Sequence, residues 1–233
     1  MIFNIPQVNY FSSTFLIECS FSSFTNGDFE LGNSFGWTIG GGYRGSINSS
    51  QLQIGDILPG GSKYDSNIAN SHSSIVTSGN DPSLGALMPN IVFQGSYSWR
   101  IEDVTVNSYM SALSQRINQY YCTDIYFAWL AVLENGGHTA EQSSLLVIEL
   151  KDATIGDTLL LRQYNAQAGN GGVDSRFNVS DSLFYTPSWQ IEHLNISSTR
   201  IGHDFVLNIM AADCNQGGHR GYAYIDSFGG VAP

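Results

Sequence analysis

The chain has 233 residues, with 25 glycines, 42% hydrophobic residues and only 12% charged ones. Nine Lys and Arg against 20 Asp and Glu give a net charge of −11, which argues against a nucleic-acid partner, because phosphate neutralisation needs clustered cations, and against an anionic membrane surface. The apolar content is sufficient for a packed core, and no run approaches the roughly 18 apolar residues of a membrane-spanning helix.

The first segment reads as a separate N-terminal extended arm, residues 1–20, ahead of a domain covering 21–233. Met1–Ser20 contains no Lys or Arg, and Asn4, Pro6, Gln7, Asn9 and Ser12 interrupt its apolar residues. It therefore lacks the basic start and continuous apolar centre of a signal peptide, so export relies on a leader removed before this numbering or on another route. Phe11, Phe15 and Ile17 share one alternating register. A segment of that pattern can add as a strand to a neighbour's sheet edge, and head-to-tail addition of this kind yields a filament.

Beyond the arm, short apolar runs rich in β-branched and aromatic residues follow one another: 91–93, 97–101, 125–133, 145–150, 158–164, 189–196, 205–210 and 221–225. Gly, Asn, Asp and Pro clusters separate them, such as Pro59-Gly60-Gly61, Asn80-Asp81-Pro82 and Asn135-Gly136-Gly137. Many short strands with regular turn punctuation predict an all-β, antiparallel sandwich or barrel. Ile125–Leu133 is apolar on both faces, as in a central covered strand. Ser108–Tyr120 fits a helix or a strand, since Met110, Leu113, Ile117 and Tyr120 lie near helical spacing.

Two motif matches lack their structural context. Gly32-Asn-Ser-Phe-Gly36 spells a nucleophile elbow around Ser34, but no helix follows. Gly40 to Gly45 spells G-x-G-x-x-G without a βαβ unit and reads as a flexible Gly-rich loop. Scattered acids such as Glu102, Asp103, Glu134 and Glu149 form no convincing catalytic pair, so no catalytic residue is assigned and the chain is read as non-enzymatic. His72, His138 and His219 sit in Gly- or Ser-rich loops near Asp213 and Glu141. They form either a Zn²⁺ or Cu²⁺ cluster or a set of loop braces. Trp99, Tyr97, Tyr126, Trp129 and Trp189 are available as glycan-stacking rings, although Trp37 and Trp129 lie in core-like strand contexts.

Two segments carry a family resemblance. Thr25-Asn-Gly-Asp-Phe-Glu30 with Gly36-Trp37, and Tyr222-Ala-Tyr-Ile-Asp226 at the far end, resemble the opening and closing strands of carbohydrate-binding-module-like jelly rolls. Ala212-Asp-Cys-Asn-Gln-Gly-Gly-His-Arg-Gly-Tyr-Ala-Tyr-Ile-Asp226 resembles the closing signature of bacterial extracellular β-sandwich domains found in surface and adhesin-like proteins. His72-Ser-Ser-Ile-Val, Asp81-Pro82, Gly95-Ser-Tyr-Ser-Trp-Arg100 and Gly137-His138 fit the same group. The resemblance implies a jelly roll at the cell surface or outside it, with first and last strands side by side. It also implies a structural Ca²⁺ held by Glu30, Asp226 and the carbonyl of Asp28, hard oxygen ligands of the kind that ion takes.

The group's second cysteine, expected near Thr158–Tyr164, is absent here. Cys122 and Cys214 are either a disulfide or separate, with Cys214 a buried thiol. Cys19 is then the odd thiol, open to intermolecular pairing. The preferred functional reading is a structural protein that assembles with other copies of itself through the arm. The alternative is a glycan-binding adhesion module.

Overall fold

The computed structural model describes residues 24–233. The arm, with Phe11, Phe15, Ile17 and Cys19, lies outside the described residues. The described chain forms twelve strands: β1 (Thr38–Tyr43), β2 (Ser74–Thr77), β3 (Tyr97–Ile101), β4 (Tyr109–Tyr120), β5 (Asp124–Glu134), β6 (Leu145–Asp152), β7 (Asp157–Asn165), β8 (Asn178–Ser180), β9 (Leu183–Tyr185), β10 (Gln190–Asn195), β11 (His203–Ala212) and β12 (Gly221–Gly229). Two short helices, α1 (Ile54–Ile57) and α2 (Ser66–Ser71), lie between β1 and β2.

The strands pair antiparallel into two sheets. One runs β1-β4-β11-β6-β7; the other runs β2-β3-β12-β5-β9-β8, with β10 alongside the first half of β5. This is an antiparallel jelly-roll β-sandwich. Leu113 and Ile117 of β4, Leu146, Ile148 and Leu150 of β6 and Phe205, Leu207, Ile209 and Ala211 of β11 face the odd-numbered side chains of β5, from Ile125 to Leu133, across the core. Trp37, Trp99 and Trp129 are buried there.

Both outer faces are partly roofed, which explains the ambiguous sequence signals. On the first sheet, Ile57 of α1 covers Met110, Ala112, Met210 and Ala212. β4 is therefore buried on both faces over much of its length. Its helix-like apolar spacing arises from that double burial and not from a helix. On the second sheet, Leu84, Met88 and Ile91 cover Leu130, Val132, Tyr222 and Tyr224, so β5 is the doubly covered central strand its composition predicts.

The Gly40-Gly41-Gly42 run is not a flexible loop but the middle of β1. A Cβ on Gly41 would lie 2.5 Å from Ala69 of α2, and one on Gly42 would strike the Lys63 carbonyl. Glycine is what lets both flanking segments close on β1.

Thr25–Glu30 corrects another expectation, because it forms turns instead of a first strand. The side chain of Asn26 organises them: its Oδ1 accepts from Leu31 N at 3.0 Å and its Nδ2 donates to the Asn33 carbonyl at 2.8 Å. Phe29, at φ 58°, drops its ring into the core against Trp37 and Trp99, at centroid distances of 5.1 and 5.9 Å. The two ends of the domain do meet, through Phe228 N donating to the Gly27 carbonyl at 2.9 Å.

Candidate functional site

The roof over the second sheet hangs from one carboxylate. Asp81 is buried, and its Oδ1 and Oδ2 accept from the hydroxyls of Tyr222 and Tyr224, each at 2.9 Å. The amides of Ser83 and Leu84 donate to Oδ1 as well, at 2.8 and 2.9 Å. The two tyrosines of the closing motif thus hold the Asp-Pro turn, and through it the whole loop before β3.

Where this roof ends, the outer face of β5 and β10 is open. Residues directly opposite in the pairing share a face, so Ile191 and His193 lie beside Ala128 and Tyr126. The outward positions of β10 are therefore Ile191, His193 and Asn195, with Trp189 preceding them. Ile191 is 51% exposed. Tyr126 and His193 stack in parallel, centroids 4.2 Å apart and planes 7° from coplanar. Trp189 lies against Phe93 at 5.7 Å and donates its Nε1–H to the Asn90 carbonyl at 3.0 Å. At the other end of the strip, Asp124 Oδ1 faces His193 Nε2 at 2.7 Å and accepts from Asn195 at 3.4 Å. Hydrogen bonds from Thr123 and His193 hold the Asp124 carboxyl below the usual range. The strip carries rings and an aliphatic side chain at one end and hydrogen-bonding groups at the other, over about 20 Å of extended chain.

Of the five rings available in the sequence, Trp99 and Trp129 are core residues, and Tyr97 packs partly buried against that core. Only Tyr126 and Trp189 reach the open strip. Phe93, Ile191 and His193 were missed, although the period-two pattern from Trp189 to Asn195 places four side chains on one face.

The acids of the two terminal motifs converge on one loop. Asp226 is fully buried; its Oδ2 accepts from the amides of Phe93 and Gln94 at 2.9 and 3.2 Å, and its Oδ1 from Ser227 N at 2.6 Å and Ser227 Oγ at 3.3 Å. Burial pushes its pKa up to about 7, against the pull of those donors. Glu30 Oε1 accepts from the amides of Ser96 and Tyr97 at 2.8 and 3.0 Å. Beside them opens a cleft of about 240 Å³, lined by Asp28, Glu30, Gln94, Gly95, Ser227 and Gly229.

The histidines do not form one cluster with Asp213. Asp213 is a buried backbone hook: its Oδ2 accepts from Asn107 N and Tyr109 N, both at 3.2 Å, and its Oδ1 from Gly221 N at 3.3 Å. Burial, and then the nearby Glu102, raise its pKa to about 7. His72 stands apart, with Nδ1 3.1 Å from Glu102 Oε1 and 3.3 Å from Asp103 Oδ2, and its ring over Tyr109. His138 and His219 do meet, Nε2 to Nδ1 at 3.2 Å, and Cys214 joins them. Cys214 is a free buried thiol and Cys122 is disulfide-bonded, so the Cys122–Cys214 bridge does not form.

Glu102, and then Asp103, raise the pKa of His72 despite the opposing effect of burial. A histidine whose pKa is raised on folding contributes stability that is complete below its unfolded pKa, about 6.5, and is lost as pH rises through the folded value. Thermal melts from pH 6 to 9 are expected to show a falling Tm, with a shallower fall in His72→Gln. Equal slopes for the two proteins would exclude this role.

No family profile and no curated protein matches the chain. Among solved structures, the fold is similar to TmCBM61, determined in complex with β-1,4-galactotriose, at 13% identity and a TM-score of 0.44, covering 89% of this chain and 95% of that one. It is also similar to CBM28, a module specific for non-crystalline cellulose, at 11% identity and a TM-score of 0.41, covering 88% and 92%. A third neighbour is the K1 cleaved adhesin domain of Lys-gingipain from Porphyromonas gingivalis W83, at 11% identity and a TM-score of 0.36, covering 85% and 92%. The likeness is one of β-sandwich architecture and carries nothing about ligands.

Proposed function

We propose that this domain is a glycan-binding module whose contact surface is the open strip Trp189, Phe93, Ile191, Tyr126, His193 and Asn195. The observation that carries the reading is the run of half-buried rings beside the exposed Ile191, ending in Asp124 and Asn195. Apolar faces of sugars stack on rings, while their hydroxyls need donors and acceptors at the margin. A groove of about 270 Å³ on the first sheet, lined by Leu52, Ile54, Leu58, Val147, Glu149 and Asn208 among others, contains no aromatic side chain. The net charge of −11 opposes polyanionic glycans, so neutral polysaccharides are the expected ligands. On a glycan array the protein should retain neutral glycans, and Trp189→Ala should weaken that binding about tenfold or more, roughly 1.4 kcal/mol or greater. Retention unchanged in Trp189→Ala would remove the strip from the account.

A calcium ion at the terminal motifs is part of the same proposal. Glu30 Oε2 has no hydrogen-bond donor among the described residues, and Glu30 lines the cleft with Asp28. Oxygen donors at a cleft suit Ca²⁺. Asp226 already accepts four hydrogen bonds, so it would have to release an amide to become a ligand. An ion bound only to the folded state stabilises it by mass action. Ca²⁺ added to the metal-free protein should therefore raise Tm by several degrees, and Glu30→Gln should abolish that rise. A Tm indifferent to Ca²⁺ would overturn the site.

A further inference from the structure

We propose that His138, Cys214 and His219 form a binding site for a transition-metal ion of the zinc class. The site draws on two loops at one end of the sandwich: the β5–β6 loop supplies His138, and the β11–β12 loop supplies Cys214 and His219. The three donor atoms lie within 4.8 Å of one another.

Three observations support an ion over a hydrogen-bonded brace. First, His138 Nε2 is 3.2 Å from His219 Nδ1, and Cys214 Sγ is 3.5 Å from the same nitrogen. With Zn–N near 2.05 Å and Zn–S near 2.3 Å, a tetrahedral ion sets N···N at about 3.3 Å and N···S at about 3.6 Å. Second, one ring nitrogen carries either one proton or one lone pair. It cannot be fully bonded to an imidazole and a thiol together, whereas an ion between them uses all three lone pairs. Third, Gly136 is what lets the two rings converge: a Cβ on it would strike His219 Nδ1 and Cε1 and lie 2.6 Å from His138 Nε2. Any side chain there would push apart the two nitrogens that an ion needs at tetrahedral spacing.

The loop around the sulfur fits a thiolate ligand. Gly218 N donates toward Cys214 Sγ at 3.4 Å, and Cys214 N donates to the His219 carbonyl at 2.9 Å, closing the loop into a tight knuckle. Amide hydrogen bonds to a ligating sulfur are the usual outer support of such sites. One thiolate and two imidazoles select Zn²⁺ or copper over Ca²⁺ and Mg²⁺. Binding forms the metal–sulfur bond and releases the thiol proton to solvent. Three protein ligands leave a fourth position open to water or to an external donor.

The test is titration of the metal-free protein, with the Cys122 disulfide intact and Cys214 as the free thiol, with Co²⁺, followed by Zn²⁺. One equivalent of Co²⁺ should give the visible bands of a tetrahedral ion and a thiolate charge-transfer band. Zn²⁺ should abolish both and raise Tm. Cys214→Ser should lose the charge-transfer band, His138→Gln should lose tight binding, and His72→Gln should behave as wild type. A folded wild-type protein showing no Co²⁺ bands would overturn the proposal. So would a charge-transfer band that survives Cys214→Ser, or binding lost in His72→Gln and kept in His138→Gln.

Discussion

Replacing Arg44 with methionine is expected to cost about 4 kcal/mol of stability, through the loss of several buried hydrogen bonds to backbone carbonyls at once. Arg44 has no solvent exposure. Its guanidinium donates to the carbonyls of Ser143 at 2.7 Å, Ile47 at 3.1 Å and Glu141 at 2.9 Å, to Ser49 Oγ at 2.9 Å, and to the Asp213 carbonyl. One side chain thereby joins the turn after β1, the β5–β6 loop and the start of the β11–β12 loop. Burial lowers its pKa to about 10, with Cys214, Asp213 and Glu141 acting in the opposite direction, so it stays charged at neutral pH. Methionine would fill much of the volume but leave several carbonyls without donors, each a loss of about 1–3 kcal/mol where water cannot enter. Lysine would recover only part, because an ammonium lacks the planar fork that reaches five acceptors. Urea unfolding should show the loss, together with a Tm lower by roughly 10 °C. A change under about 1 kcal/mol would mean that the loops hold together without Arg44.

Asp81→Ala is expected to be nearly as damaging and to act on function as well. The substitution removes four hydrogen bonds to a buried carboxylate and strands two buried tyrosine hydroxyls. The expected cost is about 3 kcal/mol. Asp81→Asn should be milder, since its amide can still engage both hydroxyls. The released loop contains Asn90 and Phe93, which position Trp189, so Asp81→Ala should also weaken glycan binding. Hydrogen exchange should show faster exchange of residues 83–93 while β5 and β11 stay protected. Unchanged exchange in that loop would contradict the role assigned to the tyrosine pair.

Much of the architecture was legible because half-buried strands and turn residues leave local marks. The apolar runs at 97–101, 145–150 and 205–210 fall in β3, β6 and β11, and Trp37 and Trp129 are core residues as their contexts indicated. What misled was burial from a third direction. The roof of α1 gave β4 apolar residues on both faces, and the close approach of Ile57, Ala69 and Lys63 demanded the glycines of β1 that resemble a loop. The terminal motifs were recognisable as sequence, yet Asn26 side-chain bonding turns the first of them away from a strand. Clustering of side chains was the least legible. His138 and His219 are 81 positions apart, and only the folded loops bring them to one point with Cys214. The strip on β5 and β10 was half visible, because alternation reveals which residues share a face but not which face the roof leaves open.

The most direct test of the glycan reading is an amide chemical-shift titration of the isotopically labelled protein with the neutral oligosaccharide best retained on the array. Saturable shifts are expected at Tyr126, Trp189, Ile191 and His193 and at the Trp189 indole N–H, with residues 145–151 and 205–210 unmoved. Shifts confined to the first-sheet groove around Glu149 and Asn208, or no saturable shifts at all, would contradict it.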